Sequence, residues 1–283
     1  MNIKITADST CDLSPELLRE NDIEIFPLYV TKNNASFRDG IDIWPEDIVR
    51  HVAEGGDLCS TSAVNIGDYI ARFGILSDAY DAVIHISLGS GFSSAYQNAC
   101  IAAADYPNIY VVDSCNLSTG HGHVVMEACR LRETVDDPEK IVEELNDVAG
   151  RVETSFLLDR LDYMVKGGRC SMVAALGANL LQLKPCIEVV DGKMKVGKKY
   201  RGNFAKCLET YIKERVADRD DIIRDLAFVT YSPVKDEEIV RRSVAAAETY
   251  GGFARVVQTH AGCTVTCHCG PNCLGILFIR KKS

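Results

Sequence analysis

Between residues 1 and 151, short runs of β-branched and other apolar residues alternate with segments of helical pattern. MNIKITADS (1–9) reads as a strand, and SPELLRE (14–20) opens a helix with Ser14 at its cap and Pro15 at its first position. IEIFPLYV (23–30) is strand-like and WPEDIVRHVAEG (44–55) is helical. AVIHISLG (82–89) and NIYVVDS (108–114) are again strands, and helical patterns cover 120–131 and 138–148. Strands alternating with helices predict a parallel sheet with crossover helices.

From residue 152 the rhythm changes. VETSFLLD (152–159) is a strand, followed by a short helix and the turn KGGR (166–169). PCIEVVDGKMKVGKKYRG (185–202) holds two alternating strands about Asp191-Gly192, a strong hairpin signal. Helix 204–216, strand 226–232, helix 236–250 and strands 254–260 and 275–281 complete the chain. The expectation is an α/β protein of two domains. Residues 1–151 form a parallel-sheet α/β domain, and residues 152–283 a mixed α/β domain with antiparallel strands.

The charge balance is 31 basic against 40 acidic residues, a net −9, which disfavours the phosphate neutralisation that nucleic-acid binding rests on. The basic run KVGKKYR (195–201) reads as a solvated hairpin face. No apolar run approaches the ~20 residues of a membrane span, and MNIKITADST lacks the core of a signal peptide. A cytoplasmic location follows as the expectation. Most of the 12 cysteines sit singly in apolar segments, where a free thiol behaves as a small buried hydrophobe.

Three strands of the first half end in small polar residues: Asp8-Ser9-Thr10, Ser87 with Ser90, and Asp113-Ser114. Ligands of open α/β sheets sit beyond the carboxyl ends of strands. A second domain against that edge would close a cleft. The turn SLGSGFSSAY (87–96) therefore holds candidate ligands. It lacks the lysine of a phosphate loop and the third glycine of a dinucleotide fingerprint. Gly91-Phe92-Ser93-Ser94-Ala95 approaches the nucleophile elbow of a serine esterase, with His268 as a possible base. Ser94 with Gln97 fits a capping box. Ser93 offers a hydroxyl beside the free N–H groups of a helix start, the donors that hold a carboxylate. CSTSAVN (59–65) supplies a second hydroxyl pair, Thr61 and Ser62, whose alternative role is another helix cap.

CTVTCHCGPNC (263–273) packs Cys263, Cys267, Cys269 and Cys273 around His268. That density raises a metal-binding module as an alternative, although the spacing fits neither a two-pair zinc site nor a ferredoxin run. His121-Gly122-His123 is a further possible ligand pair, with a surface loop or helix start as its plainer reading.

Taken in order, seven segments resemble the DegV family of bacterial lipid-binding proteins. They are TADSTCDLSPELL (6–18), STSAVN (60–65), SLGSGFSSAYQNA (87–99), VVDSCNLSTGHG (111–122), LDYMVKGGRCS (161–171), QLKPCIEVVDGKMKVGKKYRG (182–202) and HCGPNCLG (268–275). Ser94 and Ala95 stand where Gly-Thr is usual, and Asn272 replaces a common glycine. The resemblance implies a non-catalytic carrier that holds one long-chain fatty acid between its domains, with no cofactor and no metal. It implies presentation of the acyl carboxylate to a separate ATP-dependent fatty-acid kinase, at the head of phospholipid synthesis, with at most transient membrane contact. By position, Thr61 and Ser93 match the carboxylate-binding hydroxyls, and Ser62, Ser94, Arg169 and His268 fall near the carboxylate. AALGANLLQL (174–183), Phe26, Leu28 and Phe92 are candidates for the tail lining.

Overall fold

The computed structural model describes residues 1–170, 172 and 183–282. In chain order the strands are β1 (Ile3–Asp8), β2 (Ile23–Phe26), β3 (Tyr29–Lys32), β4 (Ala35–Arg38), β5 (Ser60–Ser62), β6 (Ala82–Ser87), β7 (Ile109–Asp113), β8 (Val152–Leu158), β9 (Leu183–Val190), β10 (Lys193–Arg201), β11 (Leu226–Tyr231), β12 (Arg255–His260) and β13 (Cys273–Ile279). The helices are α1 (Pro15–Glu20), α2 (Pro45–Ala53), α3 (Ile66–Ala79), α4 (Ala95–Ala103), α5 (Ser118–Arg132), α6 (Pro138–Arg151), α7 (Asp162–Gly167), α8 (Phe204–Val216), α9 (Glu238–Gly251) and α10 (Cys263–Cys269).

The predicted α/β class is observed. A four-stranded sheet runs β2-β1-β6-β7, all parallel. Its two central strands, β1 and β6, are buried at every position, as a sheet covered on both faces requires. A six-stranded sheet runs β10-β9-β8-β13-β11-β12 and is antiparallel except for the β11–β12 pair. Asp191 and Gly192 both take left-handed backbone, the geometry of a tight hairpin turn between β9 and β10.

Two departures from the sequence reading have a local cause. IEIFPLYV is not one strand. Pro27 carries no N–H to give a ladder, and the run divides there into β2 of the parallel sheet and β3 of a separate antiparallel sheet, β4-β3-β5. That small sheet is absent from the sequence reading because β4 and β5 are short and polar. The tail candidates at 174–182 lie outside the described residues, while Leu183 begins β9.

Helix α5 is buried around almost its whole circumference. Ile5 and Ile86 of the parallel sheet, Val124 and Val125 of α5, and Phe228 and Leu277 of the mixed sheet belong to one core. Its histidines lie in no surface loop. His121 Nε2 donates to the Ile86 carbonyl of β6 at 2.9 Å, and His123 Nε2 to the Leu277 carbonyl of β13 at 3.0 Å. Burial pushes both imidazoles down to about 4, so each is a neutral donor at pH 7. One helix is thereby hydrogen-bonded to both sheets.

Asp8 fixes the carboxyl ends of β1 and β6. Its fully buried carboxylate accepts from the Ser87 hydroxyl at 2.7 Å, the Leu88 N–H at 2.8 Å and the Tyr69 hydroxyl at 2.6 Å. Asp8→Ala orphans a buried backbone donor and two hydroxyls. It is expected to lower unfolding free energy by about 3 kcal/mol in urea titration. A loss under about 1 kcal/mol would show that these donors find other partners.

Candidate functional site

Beyond the carboxyl ends of β1 and β6 lies a cavity of about 290 Å³. Leu28, Leu88, Phe92, Leu117, Met194 and Val265 supply apolar wall, while Thr10, Thr61, Ser62, Ser93, Ser94 and Thr264 bring hydroxyl-bearing side chains. Arg169 and His268 complete the polar part. Of the tail candidates, Leu28 and Phe92 line this space. Phe26 does not, because its ring packs against Tyr69, Phe73 and His85. A second, outer cleft of about 380 Å³ shares Thr61, His268 and Arg169 with the first, so these three residues stand between the two spaces.

Thr61 belongs to β5 and pairs in register with Val30. The helix-cap alternative for Thr61 and Ser62 fails, because Asn65 caps α3 through its side-chain oxygen. Thr61 Oγ1 and His268 Nε2 lie 2.8 Å apart. Burial, and then the Arg169 charge, push the His268 imidazole down to about 4, so the ring is neutral. Its Nδ1 is buried without a hydrogen-bond partner. A bare acceptor there costs less than an unsatisfied N–H, which places the proton on Nε2. Thr61 then accepts from His268, and its own hydroxyl hydrogen is free to point into the cavity. Gly167 faces the bare Nδ1, and a Cβ at that position would overlap the ring. Arg169, exposed, bends back to donate to the Gly167 carbonyl at 2.8 Å, so it pairs with backbone rather than with an acid.

The serine turn resolves differently from its capping-box expectation. Ser94 occupies the cap position of α4 without a side-chain cap, and Ser93 Oγ accepts the Ala95 N–H at 3.2 Å. As a pure acceptor toward the backbone, Ser93 keeps its hydrogen for the cavity. The turn also abuts the Asp191-Gly192 hairpin. A Cβ on Gly91 would overlap the Gly192 carbonyl oxygen, so this glycine permits contact between elements a hundred residues apart.

Of the other strand-end residues Thr10 lines the cavity, and the rest are engaged elsewhere. Ser9 donates to Asp39 at 3.2 Å and accepts from the Leu28 N–H at 3.1 Å. Ser114 is buried in a local turn with Asn116. Ser87 is held by Asp8, and the Ser90 N–H donates to Asp113. Ser9 and Ser114 therefore bring no free hydroxyl to the cavity.

Two aspartates that the sequence reading missed hold α10. Asp39 accepts the N–H groups of Cys263 at 2.9 Å and Thr264 at 3.1 Å, and the Thr264 hydroxyl at 2.8 Å. Asp12 accepts the Gly262 N–H at 2.9 Å and the Ser118 hydroxyl at 2.6 Å. Their signal was the pair of turns CDLS (11–14) and RDG (38–40), whose distant partner no local pattern reveals.

The rival readings meet specific obstacles. His268 bonds to Thr61 and not to Ser93, and no acid orients its Nδ1, so the esterase triad is not assembled. Among the described residues no group of three or more His, Cys, Asp and Glu side chains gathers as for a metal ion. No helix among them is long and apolar enough to cross a membrane.

A family model described as the DegV family matches residues 2–281. The chain is 32% identical over 288 residues to a DegV domain-containing protein of Clostridium acetobutylicum, covering 99% of each. It superposes on a DegV family protein from Thermus thermophilus, described as binding fatty acid, with TM-score 0.88 and 26% identity, covering 99% of this chain and 100% of that one. A stearic-acid-binding protein from Eubacterium ventriosum aligns with TM-score 0.83 and 26% identity, covering 99% of this chain and 98% of that one.

Burial raises the Asp12 carboxyl from its ordinary 3.8 to about 8, against the pull of its Ser118 and Gly262 hydrogen bonds. Between these values the unfolded chain has lost a proton that the folded protein keeps. The group's stabilisation is full below about pH 4, falls as pH rises, and is gone above about pH 8. Relative to wild type, Asp12→Asn should gain stability between about pH 5 and pH 7.5, by at most about 1.4 kcal/mol per pH unit. Urea midpoints across that range measure it, and parallel profiles for the two proteins would refute the assignment.

Proposed function

The chain belongs to the DegV family, and from that premise we propose that it binds one long-chain fatty acid and presents the carboxylate to a separate ATP-dependent kinase. The carboxylate lies between Thr61 and Ser93, and the tail runs along the apolar wall. The reading takes 1–151 and 152–283 as two domains with the ligand between them. The observation that carries it is the pairing of two free hydroxyl hydrogens with an apolar cavity at the carboxyl edge of the parallel sheet.

The energetics support an amphipathic acid. Burying about sixteen methylenes gains roughly 13 kcal/mol gross. Ordering the chain offsets part of this, and a buried carboxylate without donors would cost several kcal/mol more. Thr61 and Ser93 supply donors, and Arg169 adds a charge that stays hydrated. A small void of about 20 Å³ shares Leu117, Val265 and Cys269 with the cavity and extends the apolar path inward to Phe156 and Leu277.

The carrier role rests on the outer cleft. A carboxylate at the Thr61–His268 partition has one side toward the tail cavity and the other toward the cleft. Neutral hydroxyls hold it without the bidentate clamp an arginine would make, leaving one oxygen for attack on a γ-phosphate. The protein supplies position, and the partner supplies ATP chemistry.

Solvent extraction of the purified protein and lipid mass spectrometry should find a fatty acid, or uptake of one from solution. Thr61→Val and Ser93→Ala should each weaken binding by about 1–2 kcal/mol, roughly 5- to 30-fold, in a displacement titration. Protein that neither carries nor acquires a fatty acid would overturn the proposal. Fluorophosphonate labelling lost in Ser93→Ala would favour the esterase.

A further inference from the structure

Both chain neighbours of His268 are cysteines, and each has a thiol partner. Cys267 lies close enough to Cys59 for each thiol to shift the other's ionisation, and Cys269 close enough to Cys273 to push the Cys273 thiol up. The pairs face opposite ways. Cys269 lines the inner cavity, and its partner Cys273 is closed in the core. Cys59 and Cys267 line the outer cleft, Cys59 9% exposed at its wall and Cys267 behind it at 3%. They pack in one small cluster with Val30, Ile43, Ile48 and Cys263. Cys59 lies two residues before Thr61, and Cys267 directly precedes His268. A bond between the two sulfurs therefore spans the same junction as the Thr61–His268 hydrogen bond.

We propose that Cys59 and Cys267 are an oxidisable dithiol, which a small-molecule disulfide entering the outer cleft converts to a disulfide bond. Cys59 is the attacking sulfur. The neighbouring Cys267 thiol and the Lys32 charge hold its thiol down at about 7 against the effect of burial, while Cys267 is pushed up. The Cys59 thiolate attacks one sulfur of the reagent, the S–S bond breaks, and one thiolate leaves. Cys267 loses its proton and attacks Cys59 Sγ in the mixed disulfide, releasing the second thiolate. Two protein thiols surrender two protons and two electrons, and the reagent is reduced to two thiols.

The bond fastens the strand of Thr61 to the helix of His268. On the fatty-acid reading above, which this consequence rests on, the partition stays closed and ligand exchange slows. A reducing compartment reverses the bond, so the pair responds to thiol status and is not a permanent staple.

The test uses the full chain, reduced and then exposed to oxidised glutathione, with remaining thiols alkylated before non-reducing digestion and mass spectrometry. The expected product is a peptide pair joined through Cys59 and Cys267, lighter by two hydrogens. Cys267→Ser should trap glutathione on Cys59, and Cys59→Ser should leave Cys267 unlinked; circular dichroism checks that both fold. Release of a bound C16 acid should slow several-fold on oxidation and recover with reductant. Free, alkylated Cys59 and Cys267 in oxidised wild type overturn the proposal, as does Cys267 joined to another cysteine. A formed link with unchanged release overturns the exchange effect. Absence of any fatty-acid binding in the reduced protein instead overturns the proposed function and leaves the dithiol assignment standing.

Discussion

The Thr61–His268 hydrogen bond joins residues 207 positions apart, and the arrangement of the site depends on it. A neutral imidazole protonated on Nε2 donates to the hydroxyl, which leaves the threonine hydrogen free for the cavity. That bond holds only if α10 is fixed in place. Asp39 and Asp12 provide this by accepting the backbone donors at Gly262, Cys263 and Thr264, with Ser9 and Ser118 completing the network. A buried carboxyl group satisfied this way orients a short helix more firmly than apolar contact alone, because hydrogen bonds are directional and costly to leave unmade.

Helix α5 performs the corresponding task for the two sheets. An ordinary surface helix shows one apolar stripe, whereas α5 is buried nearly all round and carries Ser118, Thr119, His121 and His123 inside. Such polar groups are tolerable only with partners. His121 and His123 find theirs on β6 and β13, one on each sheet. The same residues that make the helix look poorly suited to a core tie it to one strand of each sheet.

The electrostatics of the site are restrained. The protein has a net charge of −9, yet the cavity mouth presents Arg169 and neutral donors, while the carboxyl groups of Asp8, Asp12 and Asp39 are turned to internal partners and that of Asp12 keeps its proton. On the proposed reading, an anion held by hydroxyls and a hydrated arginine would be positioned without the desolvated ion pair that resists release. Such a balance suits a carrier whose cargo enters and leaves.

The sequence by itself determined the α/β class, the parallel first sheet, the Asp191-Gly192 hairpin and the identity of Thr61, Ser93, Arg169 and His268 as residues of interest. The class, the sheet and the hairpin rest on local pattern and turn chemistry, which act over a few residues and can be read in order, while the four residues were drawn together by the resemblance to the DegV family. Only the tertiary structure decided that Ser9 and Ser114 serve internal hydrogen bonds, that Ser93 rather than Ser94 meets the helix start, and that Asp12 and Asp39 anchor α10. It also divided IEIFPLYV between two sheets and brought Cys59 against Cys267. The physical reason is that a polar side chain's role is set by which partner it reaches. Ser93 and Ser114 choose among neighbours two positions away, whereas the partners of Ser9, Asp12 and Asp39 lie tens to hundreds of positions away, brought near by burial of apolar surface that carries no label for the pairings it creates.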